Sequence, residues 1–309
     1  MNDFAPKLSV ITTVYNGEVF LKETLDAVLN QTFADFEWVV VNNGSTDGTQ
    51  AILDAVDDHR LKVIQAPKHG TFGDGIRMAY QNACGRYIAV QDADDVPLPD
   101  RLEKQTAALD ADKSLAIVSG GFEEIDIDGN HLRFMYPPTT SQALVDVYQS
   151  ANPLAHSTYM YRRVASDQVQ GYPVEYAYGP DFGLVVRMLK RGWGIKVLDD
   201  VLLKQRIHAG QASVVAKFNV MRSHDALFLY QEAGMLENVS PSARRSGARN
   251  QVKCRLLYAL ALLSEGHVLD GSWEMMLGLL RNPLYGVAYL GYRFGRWVGL
   301  FRQFGSNAS

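Results

Sequence analysis

Over the first hundred residues, short apolar runs alternate with stretches whose apolar positions recur every three or four residues. "LSVITTVYN" is a β-branched run ending in a turn-like Asn16-Gly17. In "EVFLKETLDAVLNQT", Phe20, Leu21, Leu25, Val28 and Leu29 fall on one face at helical spacing. "FEWVVVNNGS" predicts a second buried strand and "TDGTQAILDAVDD" a second helix. "LKVIQAP" and "RYIAVQDADD" predict two more strands, separated by a glycine-rich loop and the helical "IRMAYQNAC". "PDRLEKQTAALDAD" reads as a helix with Pro99 near its first turn. Strands that are apolar throughout and separated by helices imply a parallel sheet covered on both faces.

After residue 115 the pattern becomes mixed. "LAIVSGGFEEIDIDGN" predicts a strand and a hairpin turning at Asp128-Gly129, and "HSTYMYRR" a short strand. "DFGLVVRMLKRG" is a helix closed by Gly192, and "IKVLDDVLLKQRI" returns to strand. From about residue 218 the pattern is helical, with a break near "ENVSPSARRSG". The expected organisation is an α/β domain over residues 1–217, its two halves meeting near residue 115, followed by a helical C-terminal region over 218–309. There is no internal repeat and no low-complexity segment.

Composition narrows this little, but charge does more. The chain has 309 residues, with 47% hydrophobic and 21% charged, as in ordinary globular proteins. Residues 1–215 hold 19 Lys/Arg against 28 Asp/Glu, and residues 216–309 hold 11 against 6. An acidic body with a basic tail predicts different partners for the two parts, and nothing points to nucleic acid. Two cysteines, Cys84 and Cys254, offer neither metal spacing nor a disulfide framework, which suits a reducing cytoplasm. "MNDFAPKLSVITTVYNG" lacks the basic start and long apolar core of a signal peptide, so it is expected to open a domain. No charge-free run reaches the ~18 to 20 residues that span a bilayer.

The candidate chemistry sits at strand ends. In an open parallel sheet, ligands bind beyond the carboxyl ends of the strands. Here those ends carry Thr13-Val14-Tyr15-Asn16, Asn42-Asn43-Gly44-Ser45, and the cluster Asp92, Asp94 and Asp95. Any one of the three is what a turn prefers. Three carboxylates within four positions are costly unless a cation completes them. All three strand ends together favour a site.

These motifs resemble the family-2 inverting glycosyltransferases with the GT-A fold. The resemblance covers roughly residues 7 to 215: "LSVITTVYNGEVFLKETLDAVLNQTFADFEWVVVNNGSTDGT", "GRYIAVQDADDVPLPDRL", and more weakly "NPLAHSTYMYRR", "GPDFGLVVRMLKRG" and "KQRIHAGQAS". It implies a Rossmann-like, mostly parallel sheet flanked by helices, and transfer of a sugar from a nucleoside diphosphate, a UDP-sugar above all, to a glycan or lipid-linked glycan acceptor. Asp92-Ala93-Asp94 looks like the family's Asp-x-Asp motif. By that likeness Asp94 ligates a divalent cation, Mn²⁺ or Mg²⁺, while Asp92, with Ala93, holds the ribose or sugar.

Thr13 and Tyr15 resemble positions that contact the base, Tyr15 by stacking, and Ser45 belongs to the same donor site. The second strand usually ends in Asp-Asp-Gly-Ser. Here it is Asn42-Asn43, and the Asn43 carbonyl can still accept a bond from a base, though without charge. Asp181 matches the family's catalytic base, and the same residue would also cap its helix. His208, in a place that often reads Arg-x-His, would complete the metal site, with Arg206 reaching phosphate. His156 would line the acceptor side. Arg77 would supply a donor contact only after a shift of register.

A sugar nucleotidyltransferase would need an arginine-bearing, glycine-rich loop after the first strand, which "VYNGEVF" lacks. A non-catalytic relative that binds nucleotide or glycan is the rival of a different class, and the retained Asp92, Asp94 and Asp181 weigh against it. In the tail, Arg293, Arg296 and Arg302 interleave with Tyr289, Tyr292, Phe294, Trp297 and Phe301. That mixture suits peripheral contact with the inner face of the cytoplasmic membrane. It equally suits packing on the catalytic domain or a homodimer interface.

Overall fold

The computed structural model describes residues 6–211 and 219–293. Its first half alternates as the pattern predicts: β1 (Leu8–Val14), α1 (Leu21–Leu29), β2 (Phe36–Asn42), α2 (Thr49–Asp54), β3 (Leu61–Gln65), α3 (Phe72–Asn82) and β4 (Tyr87–Val90). β2 and β4 lie parallel to β1 on either side of it, and β3 extends the sheet parallel to β2. Their carboxyl ends therefore share one edge. A buried relay fixes the register there: Trp38 Nε1 donates to Thr12 Oγ1 at 2.9 Å, and that hydroxyl donates to the Gln91 carbonyl at 2.7 Å.

After the acidic cluster come a two-residue strand β5 (Val96–Pro97), α4 (Arg101–Ala111), the long β6 (Leu115–Ile125), β7 (His131–Met135) and α5 (Ser141–Val147). The β6–β7 hairpin turns where expected, with Gly129 at φ +85°. "HSTYMYRR" divides into a 3₁₀ turn over His156–Thr158, β8 (Met160–Arg162) and the start of α6 (Arg163–Asp167). The turn forms because Ser157 and Thr158 bend inward, Ser157 to Asp95 and Thr158 to Ser119. Then follow α7 (Pro180–Lys190) and β9 (Gly194–Arg206).

The nine strands among the described residues join one sheet in the order β3-β2-β1-β4-β8-β6-β9-β5, with β7 on β6. β8 runs antiparallel between β4 and β6, while β6 and β9 are parallel. The sheet is thus mixed beyond β4. One apolar layer, with Val10, Trp38, Leu25, Leu102 and Leu109, lies between the sheet and α1 and α4. The other, with Ile11, Val39, Ile76, Phe182 and Val185, is covered by α3 and α7.

The C-terminal helices are α8 (Val220–Ala233), α9 (Pro241–Ser264) and α10 (Val268–Arg281). α8 is not an appendage. Leu229 and Ala233 belong to the core layer under α7, and Arg187 of α7 donates to both carboxylate oxygens of Glu232, at 3.2 and 2.9 Å.

Candidate active site

The shared edge brings together most of the residues singled out in the sequence. β4 ends at Val90, so Asp92 to Asp95 form the turn beyond it. Asp95 faces inward, 1% exposed, and accepts from Ser157 Oγ at 2.6 Å and from the Arg206 N–H at 2.9 Å. Burial, then the Asp94 and Asp92 charges, push its carboxyl well above the usual range. Asp92 is pushed up to about 7 by burial, then by Asp94 and Asp181, with Arg101 pulling back. Asp92 thus lies close enough to feel both Asp94 and Asp181.

Beneath them lies a cation that the sequence reading missed. Arg101 is 1% exposed and donates to the Val90 carbonyl and Gln91 Oε1, both at 2.7 Å, and to Gln105 Oε1 at 3.0 Å. Burial lowers its pKa to about 10 against the opposing pull of Asp95 and Asp92. The chain therefore supplies part of the countercharge itself.

His208 Nε2 lies 2.9 Å from Asp94 Oδ2. The Gly210 N–H donates to Nδ1 at 3.2 Å, so the neutral ring carries its proton on Nε2 and gives it to Asp94. Among the described residues no group of three or more His, Cys, Asp or Glu side chains could hold a metal. The Asp94 carboxylate fits Mn²⁺ or Mg²⁺, hard cations often held by one or two carboxylates with phosphate oxygens and water filling the rest, and the imidazole beside it favours the softer Mn²⁺ of the two. Seating a cation on Nε2 would require the ring proton to sit on Nδ1 instead, giving up the Gly210 bond. Arg206 does not face a phosphate. Its side chain is 2% exposed and spends its donors on Glu23 at 2.5 Å and on the Asp94, Asp126 and Ile127 carbonyls.

Asp181 occupies the first turn of α7, where a carboxylate is favoured by the helix dipole. It is not the cap, a position held by Gly179 at φ +71°, where a Cβ would also sit 2.9 Å from Leu229. Its Oδ2 accepts from Asn152 Nδ2 at 2.9 Å, a partner that sequence reasoning did not name. The loop before it is pinned from the C-terminal region: Asp225 Oδ2 accepts the Ala177 and Tyr178 N–H groups at 2.9 and 3.0 Å. His156 is largely buried, its Nε2 2.9 Å from the Tyr172 hydroxyl and its Nδ1 without a partner. Burial depresses its pKa, which keeps the ring neutral.

The nucleotide side is more closed than expected. Tyr15 is 48% exposed, but the His69 ring covers one face at 3.8 Å between centroids. Asn43 does not point into an open base site. It is 4% exposed; its amide donates to the Gly70 and Thr71 carbonyls at 3.1 and 3.3 Å, and its Oδ1 accepts the Gly70 N–H at 3.2 Å. Asn42 is likewise engaged with Gln50 and the Ser45 N–H. The Ser45 hydroxyl accepts the Asn16 N–H at 2.9 Å, tying the two strand ends together. Thr13 Oγ1 is buried without a partner against Gly75. Ala93 packs beside the α1 layer, and its carbonyl accepts from Thr24. Arg77 is not a donor contact in this arrangement, because its guanidinium bridges Asp74 at 2.7 Å and the Pro173 carbonyl at 2.9 Å.

The family model described as "Glycosyl transferase family 2" matches residues 9–169, just over half of the chain, and the chain belongs to that family. EpsE of Bacillus subtilis (strain 168), which is named as a glycosyltransferase, is 32% identical over 173 residues, 54% of this chain and 60% of EpsE. An uncharacterized glycosyltransferase of Rickettsia typhi is 29% identical over 234 residues, 74% of this chain and 72% of its own. TuaG of Bacillus subtilis, named for teichuronic acid biosynthesis, is 28% identical over 213 residues, 67% of this chain and 81% of TuaG. In fold the chain resembles S. aureus TarS 1-349, whose structure contains UDP-GlcNAc, with a TM-score of 0.64 at 19% identity over 88% of this chain and 79% of that one. It also resembles the mannosyltransferase PcManGT of Pyrobaculum calidifontis in complex with GDP-Man and Mn2+, with a TM-score of 0.58 at 17% identity over 93% and 87%. The mixed sheet flanked by helices is the GT-A fold of such enzymes.

Proposed function

We propose that the chain moves a sugar from a nucleoside-diphosphate donor, a UDP-sugar first among them, to an acceptor hydroxyl with inversion, in building a surface polysaccharide or glycolipid. The observation that carries this reading is Asp94 held 2.9 Å from His208 just beyond β4, with Asp92 beside it and the Asp181 carboxylate, at the start of α7, near enough to raise the Asp92 carboxyl. Asp94 and His208 would hold a divalent cation, Mn²⁺ or Mg²⁺, which neutralises charge on a departing diphosphate. Asp181 takes the proton of the acceptor hydroxyl. Asn152 orients that carboxylate through Oδ2, and Oδ1 is the atom we assign as proton acceptor. Asp92 meets the donor's ribose or sugar, and Tyr15 the base.

The acceptor we assign is a glycan, free or lipid-linked. Tyr136 is 61% exposed and rests on Gly121, where a Cβ would be 2.8 Å from its ring, and Phe134 beside it is 52% exposed. Exposed rings of this kind offer a flat apolar face to the C–H side of a pyranose. They lie on the hairpin whose turn carbonyls, Asp126 and Ile127, bond Arg206. We place the enzyme in the cytoplasm, where its free Cys84 and Cys254 stay reduced, with peripheral membrane contact through the C-terminal region. Residues 1–217 are the catalytic unit in this reading and 218–309 its helical partner. Thermal-shift screening of UDP-, GDP- and dTDP-sugars with and without Mn²⁺ tests it. One donor should raise the melting temperature more with Mn²⁺ than without, and no response to any donor would count against the reading.

A further inference from the structure

Helix α10 and the helical residues after it present a face that the described residues leave exposed. Leu269, Trp273, Met276 and Leu280 are 86, 57, 41 and 69% exposed. Their spacing of four, three and four puts them on one stripe of the helix. In the helical stretch 283–293, Leu284 and Val287 add 88 and 64% exposure. The buried positions of α10 are glycines. A Cβ at Gly271 would lie 3.0 Å from the Ala259 carbonyl oxygen, and one at Gly278 would lie 2.8 Å from Leu256. Glycine thus makes the contact with α9 while the large side chains point away. A surface helix ordinarily does the reverse, and so many exposed apolar groups together mark an interaction surface.

The charges select the occupant. From residue 238 onward there are nine Lys/Arg and three Asp/Glu. Arg244, Arg245 and Arg249 are exposed on the first half of α9, Arg281 closes α10, and Arg293 ends the described stretch. Gly271 sits beside Leu263 and Gly278 beside Leu256, so α10 runs antiparallel to α9 and Arg281 points toward the end that bears those arginines. A second copy would bring like charge to like charge. No described helix is long and apolar enough to cross a membrane. An apolar stripe with Arg281 and Arg293 toward its C-terminal end, and Asp270 beside Leu269 at the other, instead fits the headgroup layer of an anionic bilayer, with the arginine end foremost.

We propose that α10 and residues 283–293 dock on an anionic lipid surface, inserting Leu269, Trp273, Leu280 and Leu284. This deepens the membrane contact in the reading above and narrows it to a face that begins before Pro283. The tail aromatics from Phe294 onward lie outside the described residues. The test is cosedimentation of the full chain with mixed phosphatidylcholine–phosphatidylglycerol vesicles, beside the triple variant Leu269→Ser, Trp273→Ser, Leu280→Ser. Because those side chains are exposed, the variant should keep its melting temperature and its Mn²⁺-dependent donor response, which separates a failed surface from a failed enzyme. The wild-type chain should bind, more weakly at high salt, and the variant should partition at least about 100-fold less. Three results would overturn the proposal: wild-type protein left in the supernatant, equal binding by the variant, or a wild-type dimer that ignores vesicles and falls to monomer in the variant.

Discussion

Replacing Arg101 by methionine asks whether the chain neutralises its own acidic edge. Methionine keeps much of the volume, so the loss is of charge and hydrogen bonds rather than packing. The Val90 carbonyl, Gln91 Oε1 and Gln105 Oε1 each lose a donor within 3.0 Å. Removing one member of a buried charged network typically costs about 3–5 kcal/mol, which in a chain of this size lowers the melting temperature by roughly 5 to 8 °C. The pH dependence carries the sharper test. Asp92, at about 7, and Asp95, raised well above the usual range, hold protons more tightly folded than unfolded. Their contribution to stability is full below about pH 4 and is lost as pH rises through the folded values. Arg101 limits that loss when they ionise. Urea unfolding without metal should therefore give a cost near pH 8 that exceeds the cost near pH 5 by on the order of 1–2 kcal/mol. A variant within 1 kcal/mol of wild type near pH 8, or an equal cost at both pH values, would refute the reasoning.

Asp181→Asn should leave donor binding nearly unchanged by calorimetry and slow transfer at least ~100-fold; normal turnover would remove Asp181 from the mechanism. Mn²⁺ binding should release protons and tighten with pH. If the ion favours ionised Asp92, its affinity rises up to about tenfold between about pH 6 and 8, for a carboxyl that titrates near 7. A pH-independent affinity, or the same slope in Asp92→Asn, would count against that coupling. Asp225→Asn should loosen the loop that delivers Asp181, lowering kcat by about tenfold while donor affinity measured by thermal shift stays put. A variant with kcat unaltered would leave Asp225 a purely structural role.

The alternating half of the fold was legible because β1, β2 and β4 are mostly apolar and buried on both faces, and β3, with Lys62 and Gln65 exposed at the sheet edge, follows from its place between two helical stretches. The second half was less so. β5 has two residues, and the 3₁₀ turn over His156–Thr158 exists only because Ser157 finds Asp95, a contact 62 residues away. The acidic residues of the site were legible for a local reason, three carboxylates in one turn. Their partners were not. Arg101 looked like an ordinary first-turn arginine, Asn152 like loop, and Asp225 like one polar position in an amphipathic helix. Asn43 is tied down in a way its type does not reveal: the loop at Gly70 and Thr71 takes both of its amide protons and one of the two acceptor sites on Oδ1. α8 was assigned to a separate region because sequence distance hides that Leu229 and Glu232 complete the packing of α7.

The most direct test of the proposed metal-assisted transfer at Asp92 and Asp94, with Asp181 as base, is nucleoside-diphosphate release from a panel of UDP-, GDP- and dTDP-sugars, with wild type and Asp94→Asn side by side. The account predicts release from at least one donor that needs Mn²⁺ or Mg²⁺, stops with chelator, and falls at least ~100-fold in a folded Asp94→Asn variant. Release that persists in that variant or in chelator, or no release from any donor by folded wild-type protein, would contradict it.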